Sequence, residues 1–240
     1  MYEYPFSYPD LWSISIIMLG AVFVHACFQL SVSVLTLLNA QTIARRLSTT
    51  RILNLNFWYI LGVCVSLLML SLSAIASLRL AVNYSEAITR VVIFTIVPLV
   101  ALVVVLLYYR RGAGTRLWLP RPAATYITIR AKKTRSSMEA FSLGFLTSVT
   151  ELPFAMAPLL ISALVFVAFP PHYWLSLGTM YAVGVVTPLV FVAFYISSGH
   201  TVSAVQHWRE DAKGFLKWTS ALALLLLAMY VAALAWRTSL

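Results

Sequence analysis

The sequence predicts an all-α, polytopic membrane protein of six transmembrane helices arranged as two inverted three-helix repeats. Composition, charge-free runs and the placement of the cations lead there. Of 240 residues, 61% are hydrophobic and 10% charged, against roughly 25% charged in a soluble domain, so lipid rather than water solvates most of the chain. Residues 11–44, 52–78, 91–109 and 218–236 contain no Asp, Glu, Lys or Arg, and each run exceeds the roughly 18 residues that mark a span. Between Glu139 and Arg209 the only charge is Glu151. That stretch is too long for one crossing of a hydrocarbon layer about 30 Å thick, and Pro170, Pro171 and His172 divide it in two.

Spans are therefore expected at 12–38, 57–79, 90–109, 140–168, 173–197 and 215–236. The first is not read as a cleaved signal peptide, because Glu3 and Asp10 stand where such a peptide is positive and the apolar run is too long. The formal net charge is +10, which in a soluble protein would direct attention to nucleic acid, but the cations alternate along the chain instead. Residues 41–56 hold Arg45, Arg46 and Arg51, residues 110–138 hold eight, and residues 199–217 hold Arg209, Lys213 and Lys217, whereas the intervening segments hold only Arg79, Arg90 and Arg237. Fourteen of seventeen cations thus share one side of a six-span plan, which the positive-inside bias assigns to the cytoplasm. This predicts a multi-pass protein of the cell (inner or plasma) membrane with both termini non-cytoplasmic. Its basic segments would meet anionic lipid headgroups rather than nucleic acid.

Three units follow: a first three-helix repeat over 1–109, a basic cytoplasmic connector over 110–138 whose Gly and Pro residues break helix, and a second repeat over 139–240. The halves share weak, ordered similarity. LGAVFVHACFQLSVSVLTLL from Leu19 matches LGFLTSVTELPFAMAPLLIS from Leu143, and WYILG from Trp58 matches WLSLG from Trp174. Three spans per half is an odd number, so the second half enters the bilayer from the opposite side, and a site is expected near mid-membrane where the halves meet.

Glu151 is the leading functional residue, because an ionisable group inside a span costs on the order of 3 kcal/mol to insert and must face a cavity, a partner or a bound cation, or be protonated. Pro153 and Pro158 in the same span are expected to bend or break the helix, beside the hydroxyls of Thr147, Ser148 and Thr150. Pro188 is expected to kink span five, or simply to sit at close helix packing. In span one, His25 and Gln29 share a helix face while Cys27 points away. The three converge only if that helix is distorted. His25, Cys27 and Glu151 together would suit a transition metal ion; as separate groups they are packing or hydrogen-bonding residues. No resident cofactor is otherwise called for, since no HExxH, CxxC, GxSxG or phosphate-loop pattern occurs.

GFLTSVTELPF in span four, LGTMYAVGVVTPLVFVAF in span five, a short basic loop and an Ala/Leu-rich last span together resemble the DsbD/CcdA membrane electron-relay family within the LysE-type exporter superfamily. The resemblance covers mainly 140–236 and more faintly 12–80. It implies six spans in two inverted repeats. The relay family carries a cysteine in the first span of each repeat, near a proline, and passes reducing equivalents from cytoplasmic thioredoxin outward. Cys27 corresponds to the first cysteine. The second falls on Thr150 or Glu151 depending on the alignment, the first-repeat proline falls on Leu30, and Cys64 lies in span two. The wider superfamily exports amino acids or metal ions.

Two functions are thus expected. One is a transporter or exporter of a small solute or cation, in which Glu151, Thr150, Ser148, His25 and Gln29 bind or couple and the breaks near Leu30 and Pro153 form the gate. The other is a thiol-disulfide relay through Cys27 and Cys64, the form an enzymatic activity would take. A non-catalytic subunit of a larger membrane complex, with partner subunits, is a third class, drawn from the seven Trp and twelve Tyr. Interfacial aromatic belts account for those equally well.

Overall fold

The structure, a computed structural model, describes residues 11–27, 30–44, 48–84 and 121–238, with isolated positions at 95, 99 and 102. Apart from those three positions, the expected third span at 90–109 lies outside the described residues, as does Gln29. Seven α-helices are described: α1 (Leu11–Cys27), α2 (Leu30–Ala44), α3 (Thr49–Tyr84), α4 (Arg121–Lys133), α5 (Ser137–Val167), α6 (Trp174–Ser197) and α7 (Val202–Thr238). Among the described residues there is no strand.

Three helices are each long and apolar enough to cross a membrane, over Thr49–Leu80, Ser137–Val167 and Pro171–Ser197. Two bent pairs raise this to five if each pair is one span: Trp12–Cys27 with Leu30–Ala44 at 47°, and Val202–Ala212 with Gly214–Tyr230 at 57°. The chain is thus an all-helical protein with three to five helices suited to crossing a membrane.

Helix boundaries follow local chemistry. Ser136 and Glu139 form a capping box in which the Ser136 hydroxyl accepts from the Glu139 N–H at 3.3 Å and Glu139 accepts from the Ser136 N–H at 3.2 Å. Two of the donors left open at the start of α5 are thereby satisfied. Pro171 lies in the first turn of a short 3-10 segment that leads into α6. That helix ends where Gly199 takes φ 98°, a left-handed conformation that side-chain-bearing residues resist.

Two expectations are refined here. Of the connector residues expected to break helix, Gly112, Gly114 and Pro120 lie outside the described residues; Arg121–Lys133 is helical, and Pro122 falls in its first turn, where the missing N–H has no intrahelical partner to lose. Arg130, Lys132 and Lys133 then close the last turn, at the negative end of the helix dipole. Likewise Pro153 and Pro158 were expected to bend or break span four, but α5 continues through both as one helix, so no break lies there, and α6 continues through Pro188. The break expected near Leu30 lies between Cys27 and Leu30, and a second bend lies between Ala212 and Gly214.

α3 and α5 form the most extensive helix pair and run in the same direction. At one end Asn54 donates to the Ser137 hydroxyl at 2.9 Å. At the other the Arg79 guanidinium lies 5.0 Å above the Trp174 ring, just beyond the end of α5. The two helices touch at glycines: a Cβ on Gly62 would collide with the Phe141 carbonyl, and one on Gly144 with the Tyr59 carbonyl. α6 returns antiparallel, with Gly178 against Leu68, Ser71 and Leu72 of α3. These directions gather the start of α3, α4, the start of α5 and the start of α7 at one end of the bundle. That end carries Arg51, Arg130, Lys132, Lys133 and Arg135, and is called the basic end below.

Candidate functional site

The first turn of an isolated helix exposes backbone N–H groups without intrahelical acceptors, and burying them unpaired is costly. α2 begins inside the bundle, with Ser31 fully buried. Its solution is Glu151 of α5, itself 4% exposed. One Glu151 carboxylate oxygen accepts both the Ser31 backbone N–H and, at 2.9 Å, the Ser31 hydroxyl, and the Leu30 N–H is also a donor to this carboxylate. An acidic group from another span thus caps α2, at the positive end of its dipole.

The turn is held from further sides. Tyr59 of α3 donates its hydroxyl to the Ser31 carbonyl at 2.9 Å, with the Thr147 hydroxyl alongside. Arg209 of α7 donates to the Ser33 hydroxyl, and its guanidinium is near enough to Glu151 for their charges to interact. Toward the basic end, Asn39 of α2 and Asn56 of α3 exchange side-chain amide hydrogen bonds of 3.0 and 3.1 Å.

A second polar cluster lies on the opposite side of the break. His25, in the last turn of α1 and 1% exposed, meets the Tyr181 hydroxyl of α6 through Nδ1 at 2.7 Å. The Ser162 hydroxyl of α5 lies against Tyr181 and donates to the Pro158 carbonyl at 2.6 Å. His25 Nε2 and the hydroxyl of Ser148, which is 1% exposed, are buried and have no hydrogen-bond partner among the described residues.

The site residues expected from sequence are therefore divided. Glu151 sits at the centre, Ser148 one turn away on the same helix, and His25 in the neighbouring cluster. Thr150 is half-buried and its hydroxyl donates back to the Leu146 carbonyl at 2.7 Å, so it does not join Glu151. Cys27 and Cys64 form no disulfide. Among the described residues no three His, Cys, Asp or Glu side chains are grouped to hold a metal ion. The ligand set His25, Cys27 and Glu151 is not assembled: His25 stands in the Tyr181 cluster and the carboxylate caps α2 on the other side of the break.

No family model, curated protein or solved structure matches this chain. Sequence reasoning passed over Ser31, Tyr59, Tyr181 and Arg209. Only Arg209 carried a visible signal, as a cation close to the start of an otherwise apolar span.

A cavity of about 530 Å³ opens at the basic end, between the end of α2, the start of α3, the end of α6 and the start of α7. Thr49, Ser197, His200, Thr201 and Ser203 supply its polar lining. It adjoins the limb of α7 that carries Arg209.

Proposed function

We propose that the protein is a polytopic transporter or exporter of a small solute or cation, with Glu151 as the group that binds or couples. In this reading six spans form two inverted repeats, the basic end faces the cytoplasm and both termini lie outside. One observation carries it: span one is broken, and the freed first turn of its second half is met by a buried carboxylate from another span. Discontinuous helices whose half-helix ends face ionic groups are how secondary transporters build sites in mid-bilayer. A static scaffold gains nothing from an acidic group placed there, since an apolar, unbroken span is cheaper. The basic-end cavity would be the vestibule on one side.

The test is charge movement by the reconstituted protein on a solid-supported membrane after steps in proton, sodium, zinc or amino-acid concentration. Glu151→Gln is expected to abolish the response while the protein remains folded. A response unchanged in that variant would remove Glu151, and the reading, from consideration.

A further inference from the structure

Resting on that reading, we infer that the ion handled at Glu151 is the proton, exchanged in one direction toward His25 and in the other toward Ser148. The surroundings of the carboxylate are the first ground. The groups on it are donors: the N–H groups of Leu30 and Ser31 and the Ser31 hydroxyl. A metal or alkali cation needs converging oxygen lone pairs, and donors aimed at the same carboxylate oppose it. A proton needs only the carboxylate.

The second ground is the ring of His25. Its Nδ1 is held by the Tyr181 hydroxyl at 2.7 Å, and its Nε2 is buried with no partner among the described residues. In the tautomer in which Nδ1 donates to Tyr181, Nε2 carries a lone pair.

The third ground is placement. Along α5, Ser148 lies three residues from Glu151 toward the basic end, about 4.5 Å of helix rise, and Ser162 lies eleven residues the other way, about 16 Å. Of the four buried polar side-chain atoms with no partner among the described residues, His25 Nε2 and the Ser148 hydroxyl thus lie on opposite sides of Glu151 along the bundle axis; the other two are the hydroxyls of Ser66 and Ser197. The other titratable or charged groups facing it are Tyr59 from α3 and Arg209 from α7, while α2 presents only serines there. The cations of α4 lie at the basic end, where Arg130 is near Glu139.

The steps balance without a further reagent. On loading from the basic end, hydronium passing Ser148 gives up a proton, an O–H bond forms on the Glu151 carboxylate and water is left. On unloading, that O–H bond breaks with its electron pair staying on oxygen. The proton passes through water to Nε2 of His25, and the resulting imidazolium returns it to water on the far side.

Infrared spectroscopy of the full chain in lipid vesicles tests this. Expected is a carboxylic-acid C=O band that Glu151→Gln removes, that is lost as pH is raised, and whose midpoint is the same in sodium, potassium and choline salts. His25→Asn should slow the response of that band to a pH jump by on the order of a hundredfold without removing it. A band displaced by sodium at constant pH, or one unmoved by pH, would overturn the proton assignment while leaving Glu151 as the coupling group. An unaltered rate in His25→Asn would overturn the path through His25. Failure of the reading itself shows separately, as charge movement that persists in Glu151→Gln.

Discussion

Replacing Glu151 by alanine tests whether the carboxylate holds α2 in place. The change removes the acceptor for the Ser31 backbone N–H and for the Ser31 hydroxyl, at a residue with no exposure through which water could substitute. Each buried donor left unpaired costs about 1–3 kcal/mol, so with two donors Glu151→Ala should lose roughly 2–6 kcal/mol. Glu151→Gln keeps an amide oxygen in the same position to accept both donors and should lose less than about 1 kcal/mol. Reversible unfolding in mixed micelles, with the extent of folding followed by circular dichroism, compares the two directly. Equal losses in the two variants would refute the cap, because the argument depends on the acceptor oxygen that only glutamine retains.

Gly144→Ala places a methyl on the Tyr59 carbonyl and should lower unfolding stability by about 1–3 kcal/mol, read in the same micelles. Asn39→Leu leaves Asn56 without its partner and should cost about 1–3 kcal/mol, whereas the double change to leucine should recover most of it, a coupling that a double-mutant cycle measures. Tyr59→Phe removes one donor from the Ser31 carbonyl and should cost about 0.5–1.5 kcal/mol. Thr150→Val should leave charge movement at the wild-type level, since its hydroxyl serves its own helix; a loss of activity would return Thr150 to the site.

The apolar runs and the lone carboxylate were legible in the sequence because both follow from the cost of placing charge in hydrocarbon, which depends on composition and little else. Glu151 stood out for that reason, as did the spans that became α3, α5 and α6. A break near Leu30 was expected, but what sustains it was not legible. The stretch Ala-Cys-Phe-Gln-Leu around it contains neither glycine nor proline, and the interruption is sustained by Glu151, which lies far away in the chain. Pro153 and Pro158 do not break α5: each removes one hydrogen bond, but a buried helix packed on several sides is held by its neighbours. Ser31 and Tyr181 are ordinary in type and acquire meaning only from what they touch.

The contact between Ser31 and Glu151 also sets an order of events in biosynthesis. Their positions differ by 120 residues, which at ribosomal speeds of about 5–20 residues per second is roughly 6–24 s of elongation. Throughout that interval the amide groups at the head of α2 must be satisfied by something other than their final acceptor, whether interfacial water, the translocation machinery or a still-unbroken helix. The first hairpin to leave the ribosome is therefore a provisional one, remodelled when the fourth expected span arrives. A chain truncated before residue 151 would stay in that provisional form.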